Sequence, residues 1–154
     1  MEIERKFLVG ELPDGLERWP VQRLEQAYLC TWPVLRVRRS GEEYVFTCKG
    51  EGLLAREEHE ISLTREAYEH LLAKADGAVI TKDRYRIPYE GRTIELDVFA
   101  APFAPLVVAE VEFESEAAAA AFCPPPWVGR EGTYQGADTN APLSRRGAPP
   151  ELME

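Results

Sequence analysis

Glu2-Ile3-Glu4-Arg5-Lys6-Phe7-Leu8-Val9 alternates charged with mostly apolar side chains, and the reading of that alternation decides the fold. In an extended strand, residues two apart point to the same face. Glu2, Glu4 and Lys6 therefore share one face. Working outward, the same period recurs along the chain. Strands are expected at 2–9, 21–30, 34–39, 43–49, 55–63, 79–87, 92–98 and 105–113, separated by turn residues such as Pro13-Asp14-Gly15, Trp32-Pro33, Ser40-Gly41, Gly50-Glu51-Gly52 and Glu90-Gly91. Parity then groups Arg36 with Arg38, Arg56 with Glu58 and Glu60, Lys82 with Arg84 and Arg86, Glu95 with Asp97, and Glu110 with Glu112. Lys49 ends its strand on the side of Val45 and Thr47. The alternate positions are often apolar, as in Leu35 and Val37, Ile94, Leu96 and Val98, or Val107, Ala109, Val111 and Phe113.

Two helices interrupt this pattern. Thr64 is a candidate N-cap, and Tyr68, Leu71, Leu72 and Ala75 recur at helical spacing, which predicts a helix over 65–76 ending near Gly77. Ser115 caps a short alanine-rich helix that Pro124-Pro125-Pro126 stops. From Trp127 onward the chain is rich in Gly, Pro and Asn, with a further short helix expected near Asn140. The expected architecture is α+β: an eight-stranded antiparallel β-barrel, closed or nearly closed, with a few flanking helices. A single domain over 1–154 is expected, its tail from about 128 the least patterned part.

Composition narrows the function. The chain has 154 residues, 45% hydrophobic and 29% charged, which are globular values. A formal net charge of −9 argues against general nucleic-acid binding, which needs a basic face. No apolar run approaches the roughly 20 residues of a membrane helix. Charges at 2, 4, 5 and 6 leave no signal-peptide core, so the cytoplasm is the expected compartment. Cys30, Cys48 and Cys123 are odd in number and match no zinc spacing, which predicts reduced thiols. His59 and His70 have no Ser or Cys partner nearby to suggest a nucleophile.

An antiparallel sheet with one solvated face would also alternate. Such a face, however, mixes signs to avoid like-charge repulsion. Here the signs are sorted: acids at 2/4, 58/60, 95/97 and 110/112, bases at 36/38 and 82/84. Divalent cations can neutralise the acids and a polyanion the bases. Clustered carboxylates suit Mg²⁺ or Mn²⁺, and rows of Arg and Lys suit phosphate oxygens. The charged faces are then expected to point inward around a tunnel. The apolar faces point outward, under the helices or a partner subunit, and a homodimer is one outcome.

Taken together, Glu2-x-Glu4-x-Lys6, Leu35-Arg36-Val37-Arg38, Thr47-Cys48-Lys49, Glu58-His59-Glu60-Ile61, Lys82-Asp83-Arg84-Tyr85, Glu95-Leu96-Asp97-Val98-Phe99 and Glu110-Val111-Glu112-Phe113 resemble the CYTH superfamily of triphosphate tunnel metalloenzymes, in the family's order and from residue 2 to about 127. The resemblance is to the short, single-domain bacterial members. It implies a charged tunnel in which Glu2, Glu4, Glu110 and Glu112 hold metal, and Lys6, Arg36, Arg38, Lys49, Lys82 and Arg84 hold phosphate. It also implies acidic tunnel positions at Glu58, Glu60, Glu95 and Asp97, and a tunnel tyrosine at Tyr28 that orients water. The general base stays open between a metal-bound hydroxide, ranked first because it needs no pKa shift, and catalytic Lys82, which needs its pKa depressed by burial and cationic neighbours. Related chains often place a basic residue in a C-terminal plug. Tyr134–Asn140 offers none here, and Arg145 and Arg146 come later. The implied activity is Mg²⁺- or Mn²⁺-dependent hydrolysis of a small-molecule triphosphate, with inorganic triphosphate first. An adenylate cyclase, a thiamine or nucleoside triphosphatase, and a non-catalytic polyphosphate or nucleotide sensor are the alternatives.

Overall fold

Period-two alternation produces nine strands in the computed structural model, which describes residues 2–51 and 54–131. They are β1 (Glu2–Leu8), β2 (Val21–Thr31), β3 (Val34–Ser40), β4 (Glu43–Lys49), β5 (Ala55–Arg56), β6 (Glu58–Ser62), β7 (Ile80–Tyr89), β8 (Arg92–Phe99) and β9 (Val107–Glu112). The helices are α1 (Arg65–Leu72) and α2 (Glu116–Ala121), and a single 3-10 turn lies at Leu16–Arg18. All pairings are antiparallel, in the order β5-β1-β9-β8-β7-β2-β3-β4-β6.

The expected eight strands are nine because 55–63 breaks at Glu57. Its first part pairs with β1, Arg56 opposite Glu2, and its second with β4, Glu58 opposite Lys49. The hydrogen-bonded ladder therefore does not close on itself. Its two edge strands are instead consecutive pieces of chain joined through Glu57, whose carbonyl accepts from Gly50 N at 2.9 Å. Beyond Ile3, the same edge of β1 is taken by residues 129–131: Leu8 N donates to Arg130 O and Gly129 N to Leu8 O, both at 2.8 Å. A Cβ on Gly129 would lie 2.3 Å from the Leu8 carbonyl, so only glycine permits this approach.

Turn chemistry matches the expectation. Glu90 (φ 48) and Gly91 (φ 75) both have positive φ between the paired Tyr89 and Arg92, the requirement of a type I′ hairpin. Thr64 and Ser115 cap α1 and α2, their hydroxyls accepting from Ala67 N (3.1 Å) and Ala118 N (3.0 Å). The first helix is shorter than the expected 65–76. It ends at Leu72, and the apolar series finishes in a turn in which Ala73, Lys74 and Ala75 donate to carbonyls behind them.

The apolar faces are covered from outside. The α1 helix packs Tyr68, Leu71 and Leu72 with Ala27, Val37 and Tyr44 of the sheet. A second cluster joins Phe7, Ile87, Ile94, Leu96, Val111 and Phe113 with Ala119 of α2. A third, built from Tyr28, Val34, Ile80, Phe99, Phe103, Leu106 and Val108, brings residues of β2, β3, β7, β8 and β9 together with the loop before β9. Among the described residues no helix is long and apolar enough to cross a membrane. The segment with the expected plug, Arg145, Arg146 and the helix near Asn140 lies outside the described residues.

Candidate active site

The inward face carries charge at depth. Glu2, Glu4, Lys6, Arg36, Lys49, Arg56, Lys82, Arg84 and Asp97 are all buried. Between the walls lies a cavity of about 390 Å³ lined by twelve side chains, every one of them charged. Glu2 and Glu4 from β1 and Glu110 and Glu112 from β9 form one wall. Arg36 and Arg38 from β3 and Arg84 and Arg86 from β7 form another. Lys49, Glu58, Glu60 and Glu95 complete the lining.

Register shows why the acidic wall is under stress. Glu4 stands directly opposite Glu112, and Glu95 opposite Glu110; like charges so placed repel. Burial raises the carboxyl pKa of Glu110, and Glu4 adds to the rise. Burial also raises Glu112, helped by Glu2 and Glu4. Glu2 is raised by burial and by Glu58, against the pull of Lys49. The basic wall is stressed in the opposite sense. Burial, with Arg36 and Arg84, lowers Arg38 to about 9. It remains a cation at neutral pH, and a bound anion would relieve it.

Part of the sorted charge is neutralised by the protein itself, contrary to the expectation that cations and a polyanion would do all of it. Lys49 Nζ lies 3.2 Å from Glu2, 3.7 Å from Glu58 and 4.0 Å from Glu4, and Lys6 lies 3.4 Å from Glu4. Arg84 makes a two-pronged pair with Asp97 at 2.7 and 2.8 Å, and Lys82 meets the same carboxylate at 2.7 Å. β7 and β8 face each other with opposite signs, and Lys49 of β4 reaches Glu58 of β6 and Glu2 of β1, so part of each like-signed row finds partners on another strand. A single strand read alone cannot show this.

The structure thus gathers Glu2, Glu4, Glu110, Glu112, Arg36, Arg38, Lys49, Arg84, Glu58, Glu60 and Glu95 around one cavity. Lys6, Lys82 and Asp97 share that face but lie behind the lining. Tyr28 is wholly buried in the apolar cluster of Phe99, Phe103 and Leu106. Lys82 is also wholly buried, and burial lowers its pKa to about 8 even though Asp97 raises it. Two neighbours were not assigned to the site from the sequence. Arg56 is buried with Nε 3.7 Å from Glu2; its parity with Glu58 and Glu60 was the available signal. Gln26, uncharged, accepts from Arg38 Nε at 2.9 Å, and nothing in its residue type marks it.

Among the described residues, no three His, Cys, Asp or Glu side chains are drawn together as a ready metal cage. The expected quartet of Glu2, Glu4, Glu110 and Glu112 is instead spread over one wall, with lysines pulling Glu2 and Glu4 aside. Its chemistry still suits a divalent cation. The Oε1 atoms of Glu2 and Glu4 are buried and meet lysine and arginine charges at 3.2–4.0 Å without a well-formed hydrogen bond, and raised acids nearby share the need for positive charge. Hard oxygen donors are the set that Mg²⁺ or Mn²⁺ takes.

The CYTH domain model matches residues 1–132. This chain belongs to the CYTH family. Among its CYTH relatives, an inorganic triphosphatase of Nitrosomonas europaea is 48% identical over 139 residues, spanning 86% of this chain and 89% of that protein. An inorganic triphosphatase of Acetivibrio thermocellus is 35% identical over 135 residues, spanning 86% and 85%. The crystal structure of the inorganic triphosphatase NE1496 superposes with a TM-score of 0.68 at 42% identity, covering 94% of this CYTH chain and 95% of that one.

Proposed function

We propose that this chain is an inorganic triphosphatase that cleaves triphosphate to pyrophosphate and orthophosphate with the help of a divalent cation. The observation that carries the reading is the cavity: acids on one side, arginines on the other, and a charged side chain at every lining position. Sites for nucleosides are mostly apolar with a few polar groups. A cavity of this composition favours a bare phosphate chain over ATP, and so a triphosphatase over an adenylate cyclase. The name carried by the relatives supports the same choice.

Phosphoryl transfer needs positioning and charge neutralisation more than covalent chemistry. Arg36, Arg38, Arg84 and Lys49 grip non-bridging oxygens, with each guanidinium able to take two at once. Lys6 keeps Glu4 in place, and Asp97 fixes Arg84. Glu2, Glu4, Glu110 and Glu112 would hold Mg²⁺ or Mn²⁺, which when bound supplies Lewis acidity and a water of lowered pKa. Water oxygen bonds to a terminal phosphorus, the bridging P–O bond breaks, and the bridging oxygen leaves with pyrophosphate. The water's proton passes to a base: a cation-bound water, already acidified, needs no side chain of shifted pKa and ranks first, and Lys82, lowered to about 8 but lying behind the lining against Asp97, is the second candidate. Tyr28, opposite Arg36 in register, is packed in the apolar cluster and lines no part of the cavity, so no step is given to it. The compartment is the cytoplasm.

The test is product analysis on inorganic triphosphate, ATP and thiamine triphosphate, each with Mg²⁺ or Mn²⁺. Orthophosphate from inorganic triphosphate, ahead of the other two, is expected. Cyclic AMP from ATP, or binding without turnover, would overturn the reading. In the same assay Glu4→Gln should lose roughly 100-fold in turnover, the scale of a key electrostatic contact.

A further inference from the structure

A second, smaller space of about 140 Å³ adjoins the charged cavity and shares Arg36, Arg38, Arg84, Arg86 and Glu60 with it. Its character differs. Leu24 and Val45 contribute apolar surface, and Gln22 and Ser40 stand among its lining residues. Gln22 lies on β2, directly opposite Arg84 in register, and Ser40 ends β3. The two are bridged: Gln22 Nε2 donates to Ser40 Oγ at 2.6 Å. The other end of the same amide, Oε1, accepts from Arg86 Nη1 on β7. One glutamine therefore ties three strands together beside the arginines, using both its donor and its acceptor.

We propose that Gln22, bridging Ser40 and Arg86, is a specificity-determining residue that shuts the arginine end of the cavity to substituted triphosphates. The inference rests on the triphosphatase reading of the charged cavity. A phosphate chain gripped by Arg36, Arg38 and Arg84, which line both spaces, presents its terminal phosphate toward this small one. An unsubstituted phosphate ends there. A nucleoside attached to it would need a site on the order of the 300 Å³ or more that small-molecule pockets offer, and 140 Å³ does not provide it. Entry would also break the amide's two hydrogen bonds and leave Ser40 and Arg86 to find other partners. Exclusion of this kind is a repulsive device, added to the attraction for the phosphate chain. Gln22 acts through space and through its partners, without a part in the bond that breaks.

The experiment measures kcat/KM for inorganic triphosphate and for ATP, with Mg²⁺, in wild type, Gln22→Ala and Ser40→Ala. Gln22→Ala removes the bridge and enlarges the space, so the ATP-to-triphosphate ratio should rise about tenfold, the scale of discrimination by a few atoms of pocket volume. Ser40→Ala breaks one arm only and should give a smaller rise in the same direction. An unchanged ratio in folded Gln22→Ala, with the wild type preferring triphosphate, overturns the gate alone. If Gln22→Ala does not fold, an unchanged ratio in Ser40→Ala overturns it. A wild type that hydrolyses ATP as well as triphosphate also overturns the gate. A wild type inactive on triphosphate overturns the reading of the cavity, and the gate with it.

Discussion

Asp97 shows what one buried charge does when its partners are fixed. It is wholly buried and sits between Lys82 and Arg84 at 2.7 Å from each. Burial alone would raise its pKa, but the two cations hold it well below the usual carboxylate range. Its stabilising contribution is therefore complete above its ordinary value of 3.8 and is lost as the pH falls from there. Asp97→Asn leaves two cations without their counter-charge and should cost about 3–5 kcal/mol in urea unfolding at pH 7. It also removes the charge that raises the pKa of Lys82. If Lys82 accepts the proton, the limb of the pH–rate profile that rises near pH 8 should move to lower pH in this variant. A limb that stays in place would reassign the base. In the sequence, Asp97 and Lys82 were legible as charges of inward parity. Their mutual pairing was not, because it joins β7 to β8 across a hairpin and depends on register.

Among elements, β1 is held on both edges by pieces far away in sequence. The β9 strand pairs with it from Glu4 to Leu8. On the other edge, residues 129–131 follow β5, secured by Arg5. Its Nε and Nη2 donate to the Glu131 carboxylate at 2.9 and 2.7 Å, and its Nη1 to the carbonyls of Ala119 and Phe122 at 2.8 and 2.9 Å. The guanidinium also lies over the rings of Phe7 and Phe122. Arg5→Ala should lower unfolding free energy by about 2–3 kcal/mol, since it removes charge-assisted hydrogen bonds to Glu131 and takes the Arg5 donor from the Phe122 carbonyl. Glu131→Gln should cost less, and the double variant Arg5→Ala/Glu131→Gln less than the sum of the two. Additive losses in denaturant titrations would show that the pair is not coupled. Outward parity for Arg5 was readable from the flanking Glu4 and Lys6. Its partner was not, since Glu131 lies 126 positions further along the chain. The break at Glu57 was equally invisible, because alternation continues through 55–63 while the pairing partner changes.

The whole molecule places an acidic wall, raised in pKa by burial and self-repulsion, inside a protein of net charge −9. A carboxyl with a raised folded pKa contributes relative stability below its unfolded value, and that contribution is lost as the pH rises through the folded value. As they ionise, Glu2, Glu110 and Glu112 therefore weigh against folding until a cation neutralises them. Mg²⁺ at a hundredfold excess over its Kd should stabilise the protein by about 2.7 kcal/mol at pH 8. It should do less as the pH is lowered to 5, because protons compete with the ion for these raised carboxyls. Thermal unfolding at both pH values, with Mg²⁺ or EDTA, measures the difference. An equal shift at both would mean that these acids do not hold the ion.

Strand parity, caps and turns followed from the sequence alone, because each depends on residues within a few positions of one another. Parity was enough to bring Glu2, Glu4 and Lys6 into one inward-facing row with the other charged strands, with Ile3 and Arg5 turned outward, and the strand order then made that inward face a cavity. What tertiary structure decided was which charge meets which. Glu4 faces Glu112, Asp97 binds both Lys82 and Arg84, Lys49 stands between Glu2 and Glu58, and Gln22 bridges Ser40 to Arg86. These pairings depend on strand order and register, which are set by the packing of apolar faces and long-range hydrogen bonds rather than by any local spacing.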